Sequence, residues 1–160
     1  MSRCAWVNPN NPLYIAYHDK EWGKPLHDEQ ALFELLCLES YQAGLSWEIV
    51  LNKRQAFRSA FFDYDVQKVA TMTDSQLDNL LANPDIIRHK AKLYATRTNA
   101  QAFLRELPTK SELSERLSKD LKKRGFKFVG PVCVYSYLQA AGLLNEHEES
   151  CDFRNPLRTN

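Results

Sequence analysis

Lys122-Lys123-Arg124-Gly125-Phe126-Lys127-Phe128-Val129-Gly130, followed at once by Pro131, is the stretch on which the fold turns. Three cations in a helix's last turn complement the partial negative charge of its C-terminus, and Gly125 suits the position just past that end, where the backbone turns left-handed. Pro131 then opens an apolar run to Ala141, and proline is at home in a first helical turn, where its missing N–H costs little. The spacing reads helix, tight hairpin, helix. Two uses fit it. In the plain one, basic residues and a glycine simply close a helix. In the other, the glycines let the backbone approach a phosphate, which the next helix's N-terminal N–H groups and Lys127 would hold.

Working outward, every further element reads as helical. Ser111 to Arg124 forms the helix before the hairpin, and Arg88 to Leu104 a basic helix before that, entered after Pro84 and stopped by Pro108. Asp28 is an N-cap for a helix through about Gln42, with Leu32, Leu35 and Leu36 at helical spacing before Gly44 ends it. Ser46 caps a second, Trp47 to about Phe61. Asp65–Ala70 and Asp74–Leu81 are short helices, each opened by an aspartate. The chain between Cys4 and His18 reads as a loop. The fold class is therefore all-α, and 160 residues suit a single domain over 1–160.

Composition excludes other classes. Charged residues at 26% and apolar ones at 44% argue against disorder, and the run from Pro131 to Leu144 is too short and too polar to span a bilayer. Met1 to Trp6 carries no apolar signal region, so a cytoplasmic protein is expected, with Cys4, Cys37, Cys133 and Cys151 as thiols or metal ligands. The net charge of +1 is unevenly spread. Arg88, Lys90, Lys92, Arg97 and Arg105 occur without a carboxylate, and six cations between Arg116 and Lys127 face only Asp120. The tail is acidic, with Glu146, Glu148, Glu149 and Asp152. A basic face for a polyanion and an ordinary solvated helix surface both fit that pattern.

Three groups of residues could carry chemistry. Glu39 lies seven residues after Leu32 and four after Leu35, on the apolar face of its helix, where a carboxylate needs a partner or a pocket. A buried glutamate paired with an arginine is the plain alternative. Tyr14, Tyr17, Trp22, Tyr41 and Trp47 crowd the same part of the chain, as core or as aromatic walls for a flipped base. Cys4 and His18, with His147 and Cys151, offer the two thiolates and two imidazoles of a tetrahedral zinc site, the second pair four residues apart as on one helical turn. Scattered unliganded side chains are the alternative there.

Several longer stretches coincide with one family: Arg3-Cys4-Ala5-Trp6, Pro12 to Asp19, Glu21-Trp22-Gly23, Glu39 with Gln42 to Trp47, Ile86 to Lys90, Leu121 to Gly130, and Gln139 to Leu143 with His147 and Cys151. The chain closely resembles 3-methyladenine DNA glycosylase I, among the helix-hairpin-helix glycosylases. The resemblance implies a compact helical domain whose ends are tied by a structural zinc on Cys4, His18, His147 and Cys151. It implies that Glu39, Tyr17 and Trp47 read the methylated base, that Tyr14 lines the pocket, and that Gly125, Phe126, Lys127 and Gly130 belong to the DNA-anchoring hairpin. Glu39 is then the catalytic candidate.

The implied activity is hydrolysis of the N-glycosidic bond of 3-methyladenine in alkylated duplex DNA, releasing free 3-methyladenine. A monomer without lyase activity is expected. N3-methylation leaves adenine cationic, so its departure as a neutral base does not require strong acid catalysis. This suits the absence of a catalytic aspartate after the hairpin, where the sequence offers Asn145 and Glu146. Two departures from the family pattern bear on substrate range and DNA affinity: a short linker between Phe103 and Leu121, and Pro131-Val132 where a small polar pair is usual. A lesion-binding homologue with altered chemistry is the second reading. The third is a helical scaffold, which would have no need of Glu39, Tyr17 and Trp47 together.

Overall fold

The computed structural model describes residues 2–104, 114–143, 147 and 150–153, with only the backbone described at 114–116. Among them there are nine α-helices and no strand: α1 (Pro12–Lys20), α2 (Glu29–Gln42), α3 (Trp47–Asn52), α4 (Arg54–Ala60), α5 (Val66–Ala70), α6 (Asp74–Leu80), α7 (Lys90–Phe103), α8 (Ser114–Lys123) and α9 (Pro131–Ala140). Arg105, Pro108, Ser111, Asn145, Glu146, Glu148 and Glu149 lie outside the described residues.

α2 is the central element. Asp28 caps it by accepting from the Ala31 N–H, and all nine residues from Phe33 to Tyr41 are buried, so this helix is covered on every side. It packs against α3, α7 and α9. Its C-terminus is closed by Lys92 of α7, whose Nζ donates to the carbonyls of Tyr41 and Ala43 at 2.9 and 2.5 Å. Tyr41 belongs to this core, stacked on Phe57 at 4.4 Å with its hydroxyl 2.7 Å from Thr96 Oγ1.

The basic helix is thus less of a free face than its sequence suggests. Lys92 is buried, Arg97 pairs with Asp74 and donates to the Met72 carbonyl, and Lys90 pairs with Asp78. Tertiary partners consume charge that looks unbalanced along the chain.

Three local expectations differ from the structure. Residues 12–20 form α1, because Asn11 accepts from the N–H groups of Leu13 and Tyr14 and Pro12 stands in the first turn. The helix expected over Trp47–Phe61 is two, broken at Lys53 (φ −97°, ψ 0°), whose Nζ reaches the carbonyls of Pro84 and Asp85. α6 is capped by Thr73 in a reciprocal capping box with Gln76, which leaves Asp74 inside its first turn. Between α4 and α5, Phe62, Asp63 and Tyr64 form one left-handed turn with φ of 54°, 54° and 62°. Such backbone costs roughly 1–3 kcal/mol per residue, offset here by full burial of Tyr64 and a bond from Gln30 Nε2 to the Asp63 carbonyl.

α8 and α9 pack on each other as the expected hairpin pair. Gly125 takes φ +92°, the Gly125 and Phe126 N–H groups donate to Lys122 and Leu121 carbonyls, and Pro131 opens α9. Leu121, Phe126, Val129, Val134 and Leu138 form their own apolar cluster, which meets α2 at Leu36 and α7 at Ala102. The hairpin is therefore docked on the same central helix that carries Glu39.

Candidate functional site

Beside α2 opens a cavity of about 320 Å³. Its aromatic walls are Trp6, Tyr14 and Tyr17 from the N-terminal segment and α1, Trp22 from the following turn, and Trp47 from α3; Glu39 and Gln42 of α2 and Ser136 and Gln139 of α9 supply its polar atoms. Tyr17 and Trp47 meet with ring centroids 5.2 Å apart. Sequence reasoning singled out Tyr14, Tyr17, Glu39 and Trp47, and the structure brings all four to one cavity. It gave no role to Gln42, although Gln42 stands one helical turn after Glu39 on α2, nor to Trp6, Ser136 and Gln139, which no local spacing connects to the others.

Two glutamates on α2 show what is unusual about the site. Glu34 is the ordinary kind: burial would raise its pKa, but hydrogen bonds and charge from Arg58 and Arg54, at 2.6 and 2.9 Å from its Oε1, outweigh that and hold it below the usual value. Glu39 is equally buried, and no cation pairs with it among the described residues. Burial alone pushes its pKa up to about 8. Its Oε2 and the Trp47 Nε1–H are both buried without a hydrogen-bond partner among the described residues. A buried acceptor and a buried donor left open on one cavity lining cost free energy that a ligand can recover.

The chain ends meet on the far side of Trp6 and Trp22. Cys4, His18, His147 and Cys151 are buried, with one donor atom from each within 4.8 Å of all the others. Cys151 Sγ lies 3.3 Å from His147 Nδ1 and 3.6 Å from His18 Nε2, and Cys4 Sγ lies 3.5 Å from His147 Nδ1. Metal bonds of about 2.0–2.3 Å at tetrahedral angles give edges of about 3.3–3.8 Å, so the donor set fits a four-coordinate soft-to-borderline metal.

The imidazoles are held from behind as well. Asp19 Oδ1 lies 2.8 Å from His18 Nδ1, and Arg3 grips the same carboxylate through two nitrogens. The Arg3 hydrogen bond, helped by His18 and opposed by burial, lowers Asp19 to about 2. An ionised Asp19 accepts, so His18 carries its proton on Nδ1 and turns the Nε2 lone pair toward the thiols. Sequence reasoning missed this Arg3–Asp19 support. The other two cysteines stand apart: burial raises Cys37 strongly and Cys133 to about 12, with Glu39 adding to the latter, so both stay neutral thiols.

The hairpin places its residues unequally. Lys127 has an exposed side chain, but its backbone is taken: its N–H donates to Asn99 Oδ1 at 2.7 Å, and its carbonyl accepts from Asn99 Nδ2 at 3.1 Å. Asn99 is fully buried on α7 and escaped sequence reasoning, since an asparagine in a basic helix carries no signal of its long-range partner. Phe126 is 2% exposed and faces the core, so its ring is not on the surface. Gly125 and Gly130 have open space around their Cα atoms, and Gly130 is the cap residue of α9. Phe128, at φ +58°, and Val132 are the exposed apolar side chains of this end.

A family model of methyladenine glycosylases matches residues 6–105 and 104–155. The chain belongs to the methyladenine glycosylase family. Its two matched stretches meet in the linker that reads as shortened in the sequence. DNA-3-methyladenine glycosylase 1 of Escherichia coli (strain K12) is 43% identical over 180 residues, covering 94% of this chain and 96% of that protein. A crystal structure of a 3-methyladenine DNA glycosylase I superposes with a TM-score of 0.89 at 41% identity, over 96% of this chain and all of the other. The Staphylococcus aureus enzyme, solved to show how it recognises 3-methyladenine, gives 0.88 at 38% identity over 97% of each chain. Membership in this family carries the all-helical architecture and sets the cavity in an enzyme lineage. No described helix is long and apolar enough to cross a membrane.

Proposed function

We propose that this protein is a base-excision repair glycosylase that flips 3-methyladenine out of alkylated duplex DNA and hydrolyses its N-glycosidic bond, acting as a single-domain cytoplasmic monomer. The observation that carries the reading is Glu39, a buried carboxyl with an open oxygen in an aromatic cavity. A carboxyl held neutral by burial is poised to ionise when a cation arrives. A methylated adenine ring is such a cation, and the faces of Tyr17 and Trp47 favour it by about 0.5–2 kcal/mol per contact. Glu39 accepts from the base edge, and the Trp47 N–H offers a donor.

As the bond breaks, positive charge passes from the ring to the sugar and a neutral base leaves, so no strong general acid is required. Lys92, the one lysine buried among the described residues, is committed to the end of α2, which supports hydrolysis without a lyase step. Cys4, His18, His147 and Cys151 would hold zinc as a structural tie between the chain ends, where it supplies no reacting group. Lys127, with the Gly125–Gly130 backbone, would anchor phosphate of the lesion strand.

The deciding experiment is incubation of methylated duplex DNA with purified protein, with released bases separated by chromatography. Free 3-methyladenine in excess of 7-methylguanine is the expected product. Tight binding of lesion DNA without base release would instead make the protein a family homologue with altered chemistry.

A further inference from the structure

Trp6 and Trp22 belong to two sites at once. Both line the cavity, and both rest on imidazoles of the Cys/His cluster. The Trp22 ring centroid lies 4.3 Å from that of His147, edge-on at 81°, and 6.1 Å from that of His18, stacked at 14°. Trp6 meets His18 at 5.2 Å and Trp22 at 5.0 Å, both edge-on. Neither tryptophan is in a helix, whereas Tyr17, Glu39, Trp47 and Gln139 are carried by α1, α2, α3 and α9. The cavity has one wall built on helices and one built on turns that lean on the cluster.

Two close approaches hold that second wall against the cluster. Gly23, next to Trp22, sits at φ +73°, and a Cβ there would come within 2.9 Å of His147 Nε2. Gly142, at the end of α9, lies so near the same turn that a Cβ would meet the Lys24 carbonyl carbon at 2.5 Å. The Trp22–Lys24 turn is therefore packed between His147 and the end of α9. Trp6 is two residues from Cys4, in the turn that the Val7 N–H closes on the Cys4 carbonyl at 3.1 Å.

We propose that the bound metal positions one wall of the base cavity, by fixing the imidazoles on which Trp6 and Trp22 rest, so that metal binding and base binding are energetically coupled. The proposal rests on the reading of the cavity and of the cluster given above. With the metal bound, the two imidazoles converge and the indoles have one place to sit. Without it, four donors have no cation to gather them, and the turns that carry Trp6 and Trp22 lose their support. A base closing against those indoles selects the gathered arrangement. By linkage, base then tightens metal by the same factor as metal tightens base. A metal that only ties the chain ends would be indifferent to the base.

The test is a competition of the zinc-loaded protein against a chromophoric chelator of known affinity, with and without saturating free 3-methyladenine. Metal affinity should rise at least about fivefold when base is present. Trp22→Leu should keep the metal and lose most of that gain. Trp47→Leu, which alters the helix-built wall, should weaken base binding yet preserve the coupling at saturation. Should Trp22→Leu fail to fold, cobalt-substituted native protein gives a second readout, since its visible absorption should shift on adding base. A protein that holds zinc and binds base by calorimetry, but shows equal metal affinity and an unchanged cobalt spectrum, overturns the coupling alone. Absence of metal or of base binding overturns the underlying reading as well.

Discussion

Glu39 and Glu34 are five residues apart on one helix, equally buried, and opposite in their titration. Arg54 and Arg58 make Glu34 a stable anion, while Glu39 has only burial acting on it and titrates near 8. Because Glu39 is raised above its unfolded value near 4.5, the unfolded chain loses this proton first as pH rises. The stability associated with the neutral carboxyl is therefore lost progressively between about pH 4.5 and about 8, and the penalty is level above that. Glu39→Gln has no such proton. Its melting temperature should gain on the native protein's as pH rises from 5 to 8.5 in paired calorimetric scans, and parallel curves would show that Glu39 ionises freely. Activity should move the other way, with 3-methyladenine release reduced roughly ten- to a hundredfold through loss of a charge-assisted contact of about 1.5–3 kcal/mol. A cationic lesion that ionises Glu39 should also expel about one proton per binding event below pH 8, measurable by titration in buffers of different ionisation enthalpy.

At the scale of elements, the hairpin between α8 and α9 is held as much by α7 as by its own glycines. Asn99 clamps both backbone groups of Lys127, and Ser118 donates to the Val129 carbonyl at 2.7 Å. In the proposed anchoring role, phosphate would meet the Lys127 side chain and N–H groups beyond it, and Pro131 would contribute none. Lys127→Ala should weaken lesion and undamaged duplexes alike and lower the salt slope by about one, with selectivity retained. Asn99→Ala should cost about 1–3 kcal/mol of stability by stranding two backbone groups, and should reduce DNA affinity with the lysine still in place. Full DNA affinity in that variant, measured beside its melting temperature, would return Asn99 to a purely structural role.

Over the whole molecule, the cluster joins residues 4 and 18 to residues 147 and 151, closing nearly the full length of the chain. The donors belong to the core, with His18 on α1 and Cys4 and Cys151 packed among its buried residues, and Ser2 and Asp152 pair beside them, so a metal there would tie the N-terminal segment and α1 to residues 147–151. Purified protein should contain about one zinc per chain without added metal. Chelation should lower the melting temperature by several degrees, and less than about a tenth of an equivalent with unchanged melting would exclude the site. Asp19→Asn should weaken metal retention by roughly ten- to a hundredfold, since it removes the charge that orients His18.

The sequence by itself determined the helical class, the ends and caps of α2, the glycine-closed hairpin and the identity of the chemically capable residues. These are local matters, set by capping side chains, a 3.6-residue period and the left-handed preference of glycine. It placed Glu39 on the apolar face but could not show that Glu39 goes without the cation partner that Glu34 has, since the difference lies in two arginines twenty and twenty-four residues from Glu34 that reach one of them and not the other. Nor could it show that Lys92 faces inward, that Asn99 pins the hairpin, or that Trp6, Ser136 and Gln139 share a cavity. Each of those depends on which side chains long-range packing brings within hydrogen-bond or van der Waals reach. Burial and partner choice belong to the folded chain, and they decide which of the residues visible in the sequence can act together.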